Sequence, residues 1–272
     1  MQLSKVRSIA SQNPETRQSF LSSLTEREAS LLLYDWSFWA RPEQIPPDGK
    51  WSTLLYLAGR GAGKTLSGAQ WVRGEMESGR RSNIALVGPT ARDVRKTMVE
   101  GDSGILSVCP PWNRPKYEPS KLKLTWPNGG VVHMYSAEEP ERLRGPNHDA
   151  AWLDELAVWA YLEETWNNLE MTLRAGVDPQ RYITTTPKPK QILRDIMNDP
   201  TTVVIRGSTF DNIHNLAPSF IDRIRRQYEG TRLGRQELYA EFLEEADGAL
   251  WTRRTLDSTR VYMVPDMKRI VV

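Results

Sequence analysis

The chain has 272 residues, with 36 Lys and Arg against 34 Asp and Glu, and this near-neutral balance does not by itself indicate a nucleic-acid binder. Its length is enough to bury a full α/β core, which we expect to be one main domain with appended helices. The single cysteine, Cys109, excludes an intrachain disulfide, and neither a membrane-length apolar stretch nor a signal peptide is evident, so we expect a soluble intracellular protein without membrane contact.

The first 40 residues have the pattern of helices. Thr25 and Glu28 form a capping box ahead of an apolar pattern that continues to Trp36. Three prolines then break the pattern after residue 41. We therefore assign residues 1–40 to an N-terminal helical segment.

The next stretch, Ala58-Gly59-Arg60-Gly61-Ala62-Gly63-Lys64-Thr65, has the pattern of a phosphate-binding loop between an apolar strand and an amphipathic helix. A triphosphate needs several backbone N–H groups converging on its oxygens, and glycines let the chain wrap that closely. Lys64 would reach the outer phosphates, and Thr65 would place its hydroxyl on Mg²⁺. We assign all of Gly59 to Thr65, with Arg60 and Ala62 included, to nucleotide binding.

One position departs from the usual G-x-x-x-x-G-K-[ST] pattern, because Ala58 stands where the first glycine is expected. The loop geometry is therefore expected to differ slightly. The alternative is a glycine-rich turn that binds nothing, but the strand before the loop and the helix after it favour phosphate binding.

The rest of the chain alternates between strand and helix patterns. Pro127-Asn128-Gly129-Gly130 lies between two apolar runs and predicts a hairpin. The other predicted elements are strands at 84–87, 181–186 and 203–205 and helices at 219–228 and 233–245. This order predicts an α/β fold with a mostly parallel sheet, helices on both of its faces, and a small helical C-terminal subdomain.

A second functional pattern is Ala150-Ala151-Trp152-Leu153-Asp154-Glu155. An apolar run that ends in a carboxylate is typical of a buried parallel strand whose tip faces the ligand crevice. Asp154 would complete the Mg²⁺ shell, and Glu155 would orient and deprotonate a water for attack on the γ-phosphorus. The alternative is an ordinary helix start. Because no N-K-x-D guanine-recognition string occurs, the sequence favours ATP over GTP.

Together the motifs resemble the ATPase domain of large terminase subunits, the DNA-packaging motors of tailed bacteriophages and gene transfer agents. The matching segments are Arg41-Pro42-Glu43-Gln44, the loop at 58–65, Leu143-Arg144-Gly145, Trp152-Leu153-Asp154-Glu155 and Thr184-Thr185-Thr186-Pro187. The resemblance implies a P-loop NTPase fold of the RecA/ASCE type. It implies an ATPase core at residues 41–210 and a helical linker subdomain at 211–260.

The resemblance also implies roles for single residues. Gln44 matches the adenine-recognition position, and an amide can pair with adenine N6 and N7; the alternative is a solvated loop residue. Arg41 and Trp39 would flank the base, although Trp39 has helical spacing from Trp36 and is equally suited to a core position. Thr186, in the coupling segment, would sense the γ-phosphate, whereas the alternative is a simple strand end.

Three arginines compete for the role of stabilising charge on the γ-phosphate. Arg60 would act within its own subunit, whereas Arg142 and Arg144 would reach the site of a neighbour in a ring. We prefer Arg144 as this trans-acting finger. For Arg142 the alternative is a surface ion pair with Glu138, Glu139 or Glu141.

The implied partners are double-stranded DNA, the portal protein and the small terminase subunit, with a pentameric ring on the portal, a monomer in isolation, and action in the host cytoplasm. Sequence-independent DNA contacts need basic clusters. Three clusters qualify, although each is equally suited to a solvated face: Arg92, Arg95 and Lys96; Lys188 and Lys190; and Arg223, Arg225 and Arg226. A helicase-like ATPase and a nucleotide-binding assembly module with little hydrolysis remain alternatives.

Residues 261–272 end in an apolar run that resembles the first strand of the nuclease domain found in full-length large terminases. The metal-binding Asp that ends that strand does not follow here. We therefore expect this chain to hydrolyse ATP without cutting DNA.

Overall fold

The computed structural model describes residues 14–243 and 253–260. The strands are β1 (Thr53–Ala58), β2 (Asn83–Gly88), β3 (Lys116–Glu118), β4 (Lys123–Thr125), β5 (Val131–Ser136), β6 (Ala150–Asp154), β7 (Gln180–Thr185) and β8 (Thr202–Gly207). They form one sheet in the order β3-β4-β5-β2-β6-β7-β1-β8. All the predicted strands are therefore confirmed, and β3 is an addition.

Most of the sheet is parallel, as the sequence predicted. The six strands from β5 across to β8 run in one direction, while β4 is antiparallel to β5 and β3 to β4. The predicted hairpin is the connection between β4 and β5. A mixed edge on a parallel sheet is common in α/β proteins.

The α-helices are α1 (Pro14–Ser22), α2 (Glu26–Leu33), α3 (Trp36–Trp39), α4 (Lys64–Glu77), α5 (Ala91–Asp93), α6 (Ile105–Val108), α7 (Leu162–Thr172), α8 (Gln191–Asn198), α9 (Pro218–Tyr228), α10 (Arg232–Glu237) and α11 (Arg253–Thr259). A π-helical turn, Val94–Val99, follows α5. None of these described helices is both long and apolar enough to cross a membrane.

Apolar side chains on β1 divide between two faces of the sheet. Leu54 and Tyr56 join a core that contains α4, whereas Leu55 and Leu57 join a core that contains α7 and α8. Successive residues of a strand point to opposite faces, so an uninterrupted apolar run fits a strand that is covered on both sides. The prediction of helices on both faces is therefore confirmed.

The N-terminal segment is helical from Pro14 to Trp39, in three short helices. The predicted capping box is present: Thr25 N–H donates to Glu28 Oε2 at 2.9 Å, and Glu28 N–H donates to Thr25 Oγ1 at 3.3 Å. Residues 1–13 of the predicted segment lie outside the described residues.

The C-terminal helices differ in part from the prediction. The helix predicted at 219–228 is α9, but the one predicted at 233–245 is wrong in extent, because α10 ends at Glu237. From Glu237 onwards the backbone carbonyls accept hydrogen bonds from residues far away in the chain instead of from the next helical turn. Glu237 O accepts from Arg60 N at 2.7 Å, and Leu238 O accepts from Thr209 N at 2.7 Å. The predicted stub at 261–272 lies outside the described residues.

Helix α4 approaches β6 closely at one residue. Gly68 lies against the indole ring of Trp152, and a Cβ added at Gly68 would overlap that ring. Gly74 lies further along the same helix, and a Cβ there would meet nothing within 4 Å. The two glycines therefore form a natural pair for testing how tightly α4 packs on the sheet.

We expect Gly68→Ala to lower the free energy of unfolding by about 1–3 kcal/mol, because the added methyl overpacks the core. Gly74→Ala should raise it by about 0.4–1 kcal/mol, since it restricts the unfolded chain without a clash. Denaturant titration of both variants beside the wild type measures the difference. Equal stability of the two variants would contradict the close packing of Trp152 on α4.

Candidate active site

A cleft of about 1010 Å³ opens where three neighbouring strands end. The segments that follow β1, β6 and β7 contribute Lys64, Glu155 and Thr186 to its lining. Because β7 lies between β1 and β6 in a parallel sheet, the carboxyl ends of all three meet at one edge. The structure thus brings the phosphate-binding loop, Glu155 of the acidic pair and the coupling segment together at this cleft.

The loop between β1 and α4 depends on glycine at two points. Gly63 has a left-handed backbone with φ of 81°, and its missing Cβ would lie 2.7 Å from Gln44 Nε2. A Cβ on Gly59 would lie 2.6 Å from Leu238 O. Other residues would therefore displace the segments that pack behind the loop.

Lys64 is buried, and its amino group is surrounded by oxygens. Nζ donates to Ala58 O at 3.0 Å, and it lies 3.3 Å from each of three further oxygens: Gly59 O, Thr186 Oγ1 and Glu155 Oε1. An ammonium held at the rim of a phosphate-binding loop is suited to the outer phosphates of a nucleotide.

Asp154 is buried at the tip of β6. Burial, and secondly the neighbouring Glu155, raise the pKa of Asp154 to about 7. Thr184 Oγ1 donates to Asp154 Oδ1 at 2.6 Å and accepts from Trp152 Nε1 at 2.8 Å. The indole therefore orients the hydroxyl, and the hydroxyl in turn favours the ionised carboxylate.

Glu155 leaves the strand with a left-handed backbone, at φ 49° and ψ 42°. Its N–H donates to Thr184 O at 2.6 Å, and its Oε2 accepts from Thr186 N–H at 3.3 Å. A non-glycine residue in this region is strained, and such strain is concentrated at functional sites. The turn directs the carboxylate towards Lys64 and the coupling segment, away from Asp154's buried position.

Thr65 also lines the cleft, at the N-terminus of α4. In the described part of the chain no group of three or more His, Cys, Asp and Glu side chains is suited to hold a metal by itself. Magnesium that bridges phosphates needs only one or two carboxylates from the protein. Of the two residues assigned to Mg²⁺ from the sequence, Thr65 lines the cleft, whereas Asp154 is buried and is not among the residues that line it.

The three residues assigned to the base, Gln44, Arg41 and Trp39, all line the cleft. Gln44 lines the cleft but is only 2% exposed, so it is not a solvated loop residue. Its Nε2 donates to Gly63 O at 3.3 Å, and its Oε1 accepts from Arg41 N at 3.2 Å. The amide thus contacts the loop backbone. Trp39 is 52% exposed at the cleft, which excludes the core alternative.

The three candidate arginines occupy different positions. Among the described residues, Arg60 lines the cleft, whereas Arg142 and Arg144 do not. Arg142 pairs with Glu139 at 2.6 Å, which is the surface ion pair considered as its alternative. Arg144 is exposed, with Nη1 2.9 Å from Glu141 and Nε 3.3 Å from Asn168 Oδ1.

The basic clusters considered for DNA are partly neutralised. Arg95 and Lys96 both contact Glu100, at 2.6 and 2.8 Å. They lie on the π-helical turn Val94–Val99. Arg225 stacks over Phe210, and Lys188 lines the cleft.

Three side-chain contacts at the site were not predicted from the sequence. Thr184 contacts Asp154, and Thr209 and Asn212 contact the phosphate-binding loop from the C-terminal side. For Thr184 a signal existed, because parallel strands pair residues in register and Asp154 lies opposite Thr184. For the other two no local pattern exists.

Comparison with known proteins agrees with this geometry. A family model described as "Terminase large subunit, T4likevirus-type, N-terminal" matches residues 55–258. No curated protein sequence matches the chain.

Solved structures show the same fold. The Thermus phage P74-26 large terminase ATPase domain is 17% identical, with a TM-score of 0.59, and the match covers 80% of this chain and 98% of that one. The large terminase of a thermophilic bacteriophage in complex with ADP is also 17% identical, with a TM-score of 0.59 and coverage of 79% and 52%. Its complex with ATP-gamma-S matches at 16% identity, with the same TM-score and coverage. This chain thus spans about half the length of that terminase.

We expect Thr184→Val to lower the free energy of unfolding by about 1–3 kcal/mol, because it leaves buried polar groups of Trp152 and Asp154 without their partner. Thr184→Ser keeps the hydroxyl and should retain most of the stability. Denaturant titration of the two variants provides the measurement. A serine variant as unstable as the valine variant would show that the methyl group matters and the hydrogen bonds do not.

Proposed function

The chain belongs to the terminase large subunit family, T4likevirus type, in its N-terminal part, and we propose that it is an ATP-hydrolysing motor domain that drives double-stranded DNA into a procapsid. The observation that carries this proposal is the convergence of Lys64, Glu155 and Thr186 at one cleft. Phosphate binding, water activation and γ-phosphate sensing would then occur within one set of contacts.

The ion pair between Lys64 and Glu155 defines the first step. A triphosphate would draw Lys64 onto its outer phosphates, which releases Glu155 to orient a water and accept its proton. Thr65 and Asp154 would hold Mg²⁺, which neutralises phosphate charge when bound. Thr186 contacts both Lys64 and Glu155, so its position depends on whether the lysine holds a phosphate.

We infer that the base lies at the end of the cleft formed by Trp39, Arg41 and Gln44. Adenine is the base in the ADP and ATP-gamma-S complexes of the related terminase. Gln44 would recognise it by turning its amide away from Gly63 O. The exposed Trp39 ring offers a stacking surface.

The remaining proposals concern assembly. We place the ATPase core at 41–210 and the helical linker subdomain at 211–260. The partners we propose are double-stranded DNA, the portal protein and the small terminase subunit, in a pentameric ring on the portal and in the cytoplasm of the host. The isolated chain would be a monomer.

We expect the wild-type chain to hydrolyse ATP, with stimulation by duplex DNA and without strand separation. Glu155→Gln should bind ATP normally and lose at least about 100-fold in kcat, since it lacks the base, while Lys64→Ala should lose ATP affinity. Glu164→Gln, an exposed carboxylate on α7, is the matched control and should behave as wild type. Phosphate release and nucleotide titration measure the two effects.

Two results would contradict the proposal. Unwinding of duplex DNA would favour a helicase-like ATPase. ATP binding with equally negligible turnover in wild type and Glu155→Gln, at high protein concentration and with DNA, would favour an assembly module.

Arg144 is suited to a neighbour's site, because it is exposed and its guanidinium is held by Glu141 and Asn168 outside its own cleft. We expect the Arg144→Ala variant to hydrolyse ATP more slowly than the wild type at protein concentrations where subunits assemble. Mixing this variant with Glu155→Gln subunits should restore ATP hydrolysis. Arg142→Ala, which only breaks a surface ion pair, is the control and should remain active. A first-order rate that is insensitive to Arg144 would leave Arg60 as the remaining candidate.

A further inference from the structure

Three consecutive carbonyl groups of the phosphate-binding loop accept hydrogen bonds from side chains outside the loop. The bonds run from Thr209 Oγ1 to Arg60 O at 2.7 Å, from Asn212 Nδ2 to Gly61 O at 2.7 Å, and from Arg41 Nη2 to Ala62 O at 2.5 Å. Arg41 Nη1 also donates to Asn212 Oδ1 at 2.7 Å, so two of the three donors hold each other. We call these three side chains the loop clamp.

The loop clamp determines the direction of the loop's N–H groups. In a planar trans peptide the N–H points opposite to the carbonyl. The three clamped carbonyls belong to the peptides that carry the N–H groups of Gly61, Ala62 and Gly63. Ala62 N–H is bonded to Gly59 O at 3.2 Å, so the clamp orients Gly61 and Gly63 N–H for a ligand. Both glycines line the cleft.

Two members of the loop clamp, Thr209 and Asn212, lie in the helical unit that follows β8. This unit consists of a 3₁₀ segment and the helices α9 and α10. A capping box at Ser208 begins the 3₁₀ segment Thr209–Asn215, which carries both residues. Asp211 N–H donates to Ser208 Oγ at 3.1 Å, and Ser208 N–H donates to Asp211 Oδ2 at 2.6 Å. Apolar residues of the same segment pack in a small separate core with α9 and Leu238: Phe210, Ile213 and Leu216. The donors are therefore positioned before any nucleotide binds.

We propose that Thr209 and Asn212 are positioning residues for the phosphates of ATP. They hold Arg60 O and Gly61 O away from the cleft, and this keeps the N–H groups of the loop converged on the phosphate oxygens. The inference rests on the proposed function. It also makes phosphate affinity depend on the helical segment that carries Thr209 and Asn212.

Thr209→Val is the sharpest test, because Thr209 is fully buried and contacts the loop only from behind. The substitution removes the hydroxyl and keeps the side chain's shape. We expect the dissociation constants of ATP and ADP to rise about fivefold, the effect of one hydrogen bond, while that of adenosine stays unchanged. The KM for ATP should rise with little change in kcat at saturation, and Thr209→Ser should restore wild-type affinity.

The matched control is Thr172→Val, which removes an equally buried hydroxyl that donates to Leu169 O at 2.8 Å within α7. It should lose similar stability in a thermal melt and keep wild-type ADP affinity. If Thr209→Val does not fold, Thr209→Ala removes the same hydroxyl and provides the comparison, with the ratio of ADP to adenosine affinity as the readout.

Two results would overturn the inference. Unchanged ADP affinity in the folded variant, or equal weakening of ADP and adenosine, would remove the clamp from phosphate binding while leaving the proposed function intact. A wild-type chain that binds neither ATP nor ADP would instead overturn the proposed function, and this inference with it.

Discussion

The burial of Asp154 is the constraint around which this site is organised. A carboxylate at the end of an apolar strand loses the hydration that stabilises its charge, which raises its pKa to about 7. The hydroxyl of Thr184 offsets part of that cost, and it does so because Trp152 supplies a donor that fixes its orientation. Trp152 in turn needs Gly68 on α4, where a methyl group would overlap the indole. A glycine in a helix thus supports a carboxylate on a neighbouring strand.

The next carboxylate in the chain, Glu155, lies at the cleft instead of in the core. Continued strand geometry would direct Glu155 to the face of the sheet on which Leu153 packs in an apolar core. The left-handed turn at this residue places its side chain at the cleft, between Lys64 and the backbone of Thr186. Two neighbouring acids thereby acquire different environments, one dry and one partly solvated. In the proposed mechanism the buried Asp154 would hold the metal, and the accessible Glu155 would activate the water.

What the sequence predicted, and what it did not, follows from the range of the interactions involved. The capping box at Thr25, the strands and the strand-loop-helix unit at β1 and α4 depend on residues within a few positions of each other, and all are present. The end of α10 at Glu237 was not predictable, since it depends on a hydrogen bond from Arg60, far away in the chain. The orientation of the Gln44 amide likewise depends on where Gly63 lies in the folded protein.

The same long-range contacts explain why Ala58 is acceptable where the loop pattern has glycine. Ala58 is still part of β1 and pairs in register with Gly207 of β8, so its backbone is extended and needs no special freedom. The close approach falls one residue later, where Gly59 packs against the carbonyls of Glu237 and Leu238. The helical unit behind the loop therefore determines which position must be glycine. A larger residue at position 58 would affect strand β1, whereas a larger residue at position 59 would push the loop away from the carbonyls of Glu237 and Leu238.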